Sequence, residues 1–432
     1  MSDPSPWLHL RVGQLLTQGG RFGLPDPLSA SAGQAYQPTQ WLPSMAAYEL
    51  VARFGVPAIA WLRALALVGL FVTLCLTTRR RLGTVAAVTA AAGVTLVCLP
   101  TMTERPQSLG MVLLALSVLG WWQSLDDGCP RWWLVPLAWL FGCSHGLWLL
   151  GLLAGLVVCV GRVLDGAQLR KTARLARVLV LQVVVTALTP LGPALLVTPF
   201  TTGANGRAFV QEWQPGSLAS VTVLAVIALV GVVVVVTLAR HECLARSRVL
   251  VVAIALALTA ASVRTGGPGV VLLTPVLAEV LASRAGRPTR RLPVWPLLPA
   301  AVLAAVVAVP LSLARAELPQ GVPTGLSSAI AALPAGTVLL SQAEVSGWVL
   351  WTAPQIRLVA DIRVEAYTAR QMNDFVTLYQ ARPGWLGLLD RSGASYALVP
   401  GDAPLVGALE HVRHWTVVGG DTGFVLLAEP AR

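Results

Sequence analysis

Carboxylates, guanidinium groups and imidazoles recur in this chain in short stretches beside tryptophan, proline and glycine, and each stretch has a chemistry it could perform. Asp3 stands ahead of Trp7, His9 and Arg11, and Asp26 follows between Pro25 and Pro27. A carboxylate next to aromatic rings can act as general base toward a hydroxyl, or hold a cation that bridges a phosphate. Solvated loop acids account for the same residues. In Thr103-Glu104-Arg105-Pro106 the guanidinium can grip a phosphate through two parallel N–H bonds while Glu104 orients it. An ion pair ahead of a proline-initiated helix is the plainer account. His145, in the run Gly142-Cys143-Ser144-His145-Gly146, could carry a proton or donate to a phosphate, or be satisfied by a backbone partner. Glu212 and Trp213 pair an acid with an aromatic face as sugar sites do, and interfacial tryptophans do the same without a ligand. Arg264, ahead of Gly266-Gly267, is a second phosphate candidate that snorkelling explains equally well. Asp361 and Arg363, with Glu365 and Tyr367, follow a β-branched run and could contact substrate or form a structural salt bridge.

These residues are positioned by elements whose solvent is lipid. Hydrophobic residues make up 55% of the chain and charged ones 12%, with a mean hydropathy of +0.70, outside the range of ordinary globular domains. At about 20 residues per span, apolar runs fall near 57–77, 83–100, 108–123, 177–198, 218–239, 249–264, 268–283 and 294–314. The stretch Trp132 to Val160 is interrupted at Gly142 to Gly146, which predicts a short helix and a longer one meeting there. The sequence thus predicts an α-helical polytopic membrane protein of about 8 to 10 membrane helices with a small C-terminal α/β domain. The predicted parts are an extracytoplasmic loop or amphipathic segment over 1–56, a transmembrane domain over 57–315 and an extracytoplasmic domain over 316–432.

The net charge of +11 does not point to nucleic acid, because the arginines lie in loops between apolar runs rather than on one amphipathic face. Alternate loops carry Arg79 to Arg81, then Arg162 to Arg174, then Arg240 to Arg248, then Arg284 to Arg291. The opposite loops carry only Arg105, Arg207 and Arg264. Basic residues in short loops stay cytoplasmic, so the second set, the N-terminal segment and the tail are placed outside. The six cysteines have no metal-site or disulfide spacing. In the tail, Thr337 to Leu340, Ile356 to Ile362, Tyr396 to Val399, Trp415 to Val418 and Phe424 to Leu427 read as strands. Ser327 to Leu333, Ala369 to Ala381, Gly384 to Asp390 and Pro404 to His411 read as helices, giving a mainly parallel sheet with a terminal hairpin and no phosphate loop.

Taken in order, Asp3-Pro4 to Trp7 and His9-Leu10-Arg11-Val12-Gly13, Pro25-Asp26-Pro27-Leu28-Ser29, Gln40-Trp41-Leu42, Arg105-Pro106-Gln107, Ser144-His145-Gly146, Glu212-Trp213 and Asp361-Ile362-Arg363 to Tyr367 resemble a known arrangement. The chain is similar to uncharacterised bacterial polytopic membrane proteins of the glycosyltransferase C type. The resemblance implies a sugar donor on a polyprenyl phosphate and an acid in the first external loop as catalytic base or metal-side carboxylate. Asp3 matches that acid, with the span expected ahead of it absent from this sequence. It implies as well that Asp3 or Asp26 activates an acceptor hydroxyl while Arg105 and Arg264 hold the phosphate leaving group, and it leaves room for a divalent metal. The expected partners are the bilayer and a lipid-linked sugar, with no nucleic acid. Gln40 stands where Glu or His is common, Ser5 where a second acid is frequent, and Cys143 where Asn often precedes Ser144-His145. Such losses are what a non-catalytic scaffold or binding protein of the cell envelope would show, and that is the rival reading. A transporter fits less well, since no internal repeat is visible.

Overall fold

A computed structural model describes residues 5–31, 37–209, 213–282, 297–314 and 321–430. Asp3 and Glu212 lie outside these, as do Arg284 to Arg291. The chain divides into two compact units. One is residues 60–203 with 210–314; the other gathers 1–59, 204–209 and 315–432.

The helical unit follows from uninterrupted apolar sequence. Helix α3 (Pro57–Thr78) carries one charged residue, Arg63, in 22 residues, and stops where Arg79 to Arg81 begin. Helix α4 (Thr84–Cys98) starts after an extended Gly83. Helix α5 (Gln107–Asp127) starts behind Pro106 and ends on a left-handed Gly128, the conformation glycine adopts without steric cost. The break expected at Gly142 to Gly146 separates α6 (Leu134–Gly142) from α7 (Trp148–Leu164). Helix α8 (Leu169–Ala187) is followed by a bend of 118° into residues 192–203, within which α9 (Thr198–Phe209) begins. Then come α10 (Val221–Ala239), α11 (Arg246–Ala261), α12 (Gly266–Ala282) and α13 (Leu297–Ala314).

Among the described residues five helices are long and apolar enough to cross a membrane, or six if the bent pair is one span. The protein is therefore a multi-pass membrane protein. Of the other runs read as spans, α11 has 16 residues and the run at 177–198 contains the bend after α8. Burial sorts the spans. The windows of α5 and α12 are 78% buried and those of α3, α4 and α10 only 22–28%, so the first two form the centre and the others present valine and leucine to lipid.

The second unit is built around a five-stranded mixed sheet, β1 (Val338–Ser341), β2 (Arg357–Leu358), β3 (Tyr396–Pro400), β4 (Thr416–Asp421) and β5 (Phe424–Ala428), ordered β2-β1-β3-β5-β4. The pairs β1/β2 and β1/β3 are parallel, and the β4–β5 hairpin closes the sheet antiparallel on β3. Helices α14 (Ser327–Ala331), α15 (Ser346–Thr352), α16 (Ala369–Tyr379), α17 (Trp385–Ser392) and α18 (Pro404–Arg413) flank it. Helix α16 opens on a capping box, in which Thr368 and Gln371 each satisfy the other's backbone N–H.

The N-terminal segment is part of this unit. Ser29 forms a parallel bridge to Leu358, with the Ala30 N–H donating to the Leu358 carbonyl at 2.8 Å and the Leu358 N–H to the Leu28 carbonyl at 2.9 Å. Helix α1 (Ser5–Thr17) packs on α2 (Trp41–Phe54) at Gly13 and on α15 at Gly347. A Cβ on Gly13 would fall inside the van der Waals shell of the Ser44 carbonyl and 2.8 Å from the Tyr48 Cβ; one on Gly347 would lie 2.8 Å from the Leu8 N. Trp7, Leu8, Leu10, Trp348, Val349 and Leu350 form the buried core of this contact.

Candidate functional site

Four segments of the sheet-containing unit meet at one partly open cleft with mixed polar and apolar walls: α1, the stretch around Asp26, the start of α2, and the turn after β2. His9, Asp26, Gln37, Gln40, Ser44, Arg363 and Glu365 line it. The floor is an ion cluster. The Arg363 Nη2 lies 2.8 Å from Asp26 Oδ2 and 2.6 Å from Asp361 Oδ2, and its Nε donates to Asp361 Oδ1 at 2.9 Å. The two carboxylates are 1% and 0% exposed and the guanidinium 8%.

Local backbone chemistry explains why these groups sit still. Asp26 Oδ1 accepts from the Leu28 N–H at 2.9 Å and Asp361 Oδ1 from the Arg363 N–H at 2.9 Å, so each acid closes an Asx turn on its own strand end. The Tyr367 hydroxyl donates to Asp361 Oδ2 and accepts from the Asp361 N–H, both at 3.0 Å. Burial works against the charge on Arg363, but Asp361 and then Tyr367 and Asp26 outweigh it, holding the guanidinium well above its ordinary value. Burial, reinforced by the Asp361 charge, likewise pushes the Tyr367 phenol well above the usual range. One cation therefore binds two acids in a dry floor, where an unpaired charge would be costly.

The wall of the cleft is less locked. His9 Nδ1 lies 3.2 Å from the Ser44 Oγ, and that hydroxyl donates to the Gln40 carbonyl one turn back at 2.8 Å. Arg11, on the same helix, is turned to Gln14 Oε1 (2.8 Å) and the Pro354 carbonyl (2.7 Å). Of the candidates read from sequence, His9, Asp26, Asp361 and Arg363 thus come together. Ser44, Gln37 and Thr39 join them without having been singled out; the signals available were Ser44 one helical turn after Gln40 and Gly13 one turn after His9.

Glu104, Arg105, His145, Trp213 and Arg264 belong to the helical unit. Glu104, with its side chain 8% exposed, pairs with Arg63 at 2.9 Å, and the Arg63 Nε donates to the Met102 carbonyl at 2.6 Å. Arg105 is half-buried in the loop ahead of α5 and its carbonyl accepts from Ser108 at 3.1 Å. His145 is buried against Gly110, and its Nδ1 accepts from the Leu147 N–H at 3.1 Å. The Arg264 guanidinium lies 5.3 Å from the Trp213 ring centre, a cation–π pair.

At the ends where the basic loops emerge, charges converge more strongly. Arg248 clasps Glu279 through Nε (2.9 Å) and Nη2 (2.8 Å), and Arg81 Nη2 reaches both Glu279 (2.8 Å) and Asp126 (2.7 Å). The ends of α3, α5 and α12 and the start of α11 are tied there. Glu279 is thus shared by two arginines. Among the described residues no three His, Cys, Asp or Glu side chains group as metal ligands.

No family model matches the chain, and no curated protein matches it. Solved structures do. The apo oligosaccharyltransferase of Archaeoglobus fulgidus aligns over 92% of this chain and 66% of its own, with a TM-score of 0.60 at 11% identity. This chain has the fold of that enzyme. The oligosaccharyltransferase AglB of the same archaeon, solved with an inhibitory peptide and a dolichol-phosphate, gives a TM-score of 0.59 at 12% identity over 92% of this chain and 65% of its own. ArnT from Cupriavidus metallidurans in the apo state aligns over 99% of this chain and 93% of its own, with a TM-score of 0.53 at 15% identity. The chain spans just under two thirds of the length of the archaeal enzymes.

Proposed function

We propose that this protein transfers a sugar from a polyprenyl-phosphate donor to an acceptor hydroxyl at the outer leaflet, with the cleft unit on the extracytoplasmic side. The observation that carries this reading is the coincidence of a fold shared with the oligosaccharyltransferase and ArnT over nearly the whole chain with a concave, partly polar site. The site is furnished as a sugar site needs to be: amide and hydroxyl groups from Gln37, Gln40 and Ser44 to bond sugar hydroxyls, and a fixed ion cluster to orient them. Arg105 and Arg264 are assigned to the phosphate, and Asp3 and Asp26 are the acids of the reading. A lipid-linked ligand fits the chemistry of the AglB structure, which holds a dolichol-phosphate.

The test is transfer of labelled sugar from polyprenyl-phosphate sugars by the full-length protein in membranes, with Asp3→Asn and Asp26→Asn beside the wild type. The expected result is turnover by the wild type that falls in at least one variant. Turnover unchanged in both removes these acids from the reaction. A second reading, a non-catalytic binder of envelope glycolipid, draws on the full engagement of Asp26 and Asp361 by Arg363. It requires saturable binding of the same lipids with no transfer.

A further inference from the structure

The geometry points to a binding site for one anionic phospholipid between α5, α7, α11 and α12, at the ends where the basic loops emerge. One acyl chain lies along an apolar cleft and the phosphate sits on the arginines at its mouth. The site stands whether or not the sugar-transfer reading does. The cleft is lined by Val118, Trp121 and Trp122 of α5, Val157 of α7, Ile254 of α11 and Leu272 of α12, and every side chain along it is apolar save the two indole N–H groups. Those two donors are buried without an acceptor, Trp121 being 1% and Trp122 5% exposed. Leaving a buried N–H unpaired is costly. Two of them in the wall of one apolar cleft call for an acceptor from outside the chain, and the ester carbonyls at the base of a phospholipid head group supply it.

The mouth is furnished for negative charge. Arg248 lies 5.3 Å from the centre of the Trp122 ring, so the charges begin where the apolar wall ends. Asp126 follows Trp122 by one helical turn, about 6 Å along α5. Arg81 joins it to Glu279, and Arg248 holds Glu279 and approaches Asp165 at 3.9 Å. Arg80 reaches Asp126 only at 3.7 Å, and its Nε is buried without an acceptor, as are those of Arg81 and Arg162. Arg162 donates to the Leu125 carbonyl at 2.8 Å, beside Asp126. Arg80, Arg81, Arg162 and Arg248 thus gather with three carboxylates, Asp126, Asp165 and Glu279, and one phosphate balances the count. Hydrocarbon is already at home in the bilayer, so seating a chain in the cleft gains little by itself. Selectivity comes from the head group, which basic pockets between membrane helices hold by charge. The parts of the lipid fall in order along the helix axis: phosphate on Arg80 and Arg162, ester carbonyls one turn deeper at the indoles, and the chain against Val157 and Ile254.

The experiment uses full-length protein in detergent micelles with phosphatidylglycerol carrying a diazirine in one acyl chain, irradiated and then mapped by peptide mass spectrometry. The expected adducts fall on residues 118–122, 153–158 and 251–254. Unlabelled phosphatidylglycerol is expected to suppress them, and phosphatidylcholine with the same chains to do so far less well. Arg80→Gln should weaken the competition by phosphatidylglycerol about 5-fold, the effect of one arginine near a head group. Arg174→Gln, which removes an exposed arginine near the start of α8 and outside the cleft, should leave it unchanged. Ala154→Phe fills the cleft and should abolish the adducts; if that protein fails to fold, the wild-type map and the two arginine variants decide. Adducts spread over the lipid-facing α3 and α10 overturn the proposal. So does phosphatidylcholine competing as well as phosphatidylglycerol, or Arg174→Gln weakening binding as much as Arg80→Gln.

Discussion

Replacing Arg363 with methionine is the sharpest test of how the cleft is held. The substitution keeps most of the side-chain volume and removes the one cation that faces both Asp26 and Asp361, whose side chains are 1% and 0% exposed. Three charge-assisted bonds of 2.6–2.9 Å go with it. What remains is the Leu28 N–H on Asp26, and the Arg363-position N–H and the Tyr367 hydroxyl on Asp361. Breaking a buried ion pair by removing one partner costs about 3–5 kcal/mol, and two carboxylates lose their counter-charge here, so the upper half of that range is expected. Asp26→Asn alone leaves the two-pronged Arg363–Asp361 pair intact and is expected to cost about 1.5–3 kcal/mol, the worth of one charge-assisted bond. The double variant should be less destabilised than the two losses added together, by about 1 kcal/mol or more, because it removes one of the two like charges left facing each other. The assay is the urea dependence of proteolytic cleavage in purified full-length protein, with cut sites mapped to residues 321–430. An Arg363→Met protein that opens within about 0.5 kcal/mol of the wild type would refute the claim that this cluster anchors the N-terminal segment to the sheet.

Gly13→Ala should separate α1 from α2, since the new methyl group overlaps the Ser44 carbonyl; a loss of about 1–3 kcal/mol, seen as a lower melting temperature, is expected for such overpacking. Burial, with smaller contributions from Glu344 and Asp402, pushes the Tyr379 phenol up to about 12 from 10.0. The unfolded chain gives up that proton first, so this contribution to stability is complete below pH 10 and declines as pH rises toward 12; Tyr379→Phe should flatten alkaline unfolding in that window. Glu279→Gln strips Arg81 and Arg248 of a shared partner and should lower the melting temperature by the equivalent of about 1–2 kcal/mol, the partly exposed Arg81 (37%) being screened by solvent more than Arg248 (18%).

Much of the fold could be read from local pattern, because local physics decides it. Apolar runs gave the five described helices long and apolar enough to cross a membrane, Gly142 to Gly146 gave the break between α6 and α7, and β-branched runs gave β1, β3 and the β4–β5 hairpin within a residue or two at most ends. Helix α15 escaped notice since its Trp348, Val349 and Trp351 have no helical signature of their own; it is helical because Gly347 lets it seat on α1. Strand β2 keeps only Arg357–Leu358 of the run Ile356 to Ile362, because the chain turns early to bring Asp361 under Arg363. The grouping of His9 and Asp26 with Arg363 was not legible at all, since it depends on bonds such as Ser29 to Val359 across 330 residues. No periodicity records such a pairing, and Ser44 acquires meaning only from the crossing at Gly13.

That pairing also sets a schedule for synthesis. A ribosome adding about 5–20 residues per second needs on the order of 15–70 s to travel from the Asp26 segment to the Arg363 turn, with α3 to α13 made in between. Throughout that interval His9 and Asp26 have emerged without the other half of their cleft, so a chain released early carries an unfinished site whatever the state of its bundle.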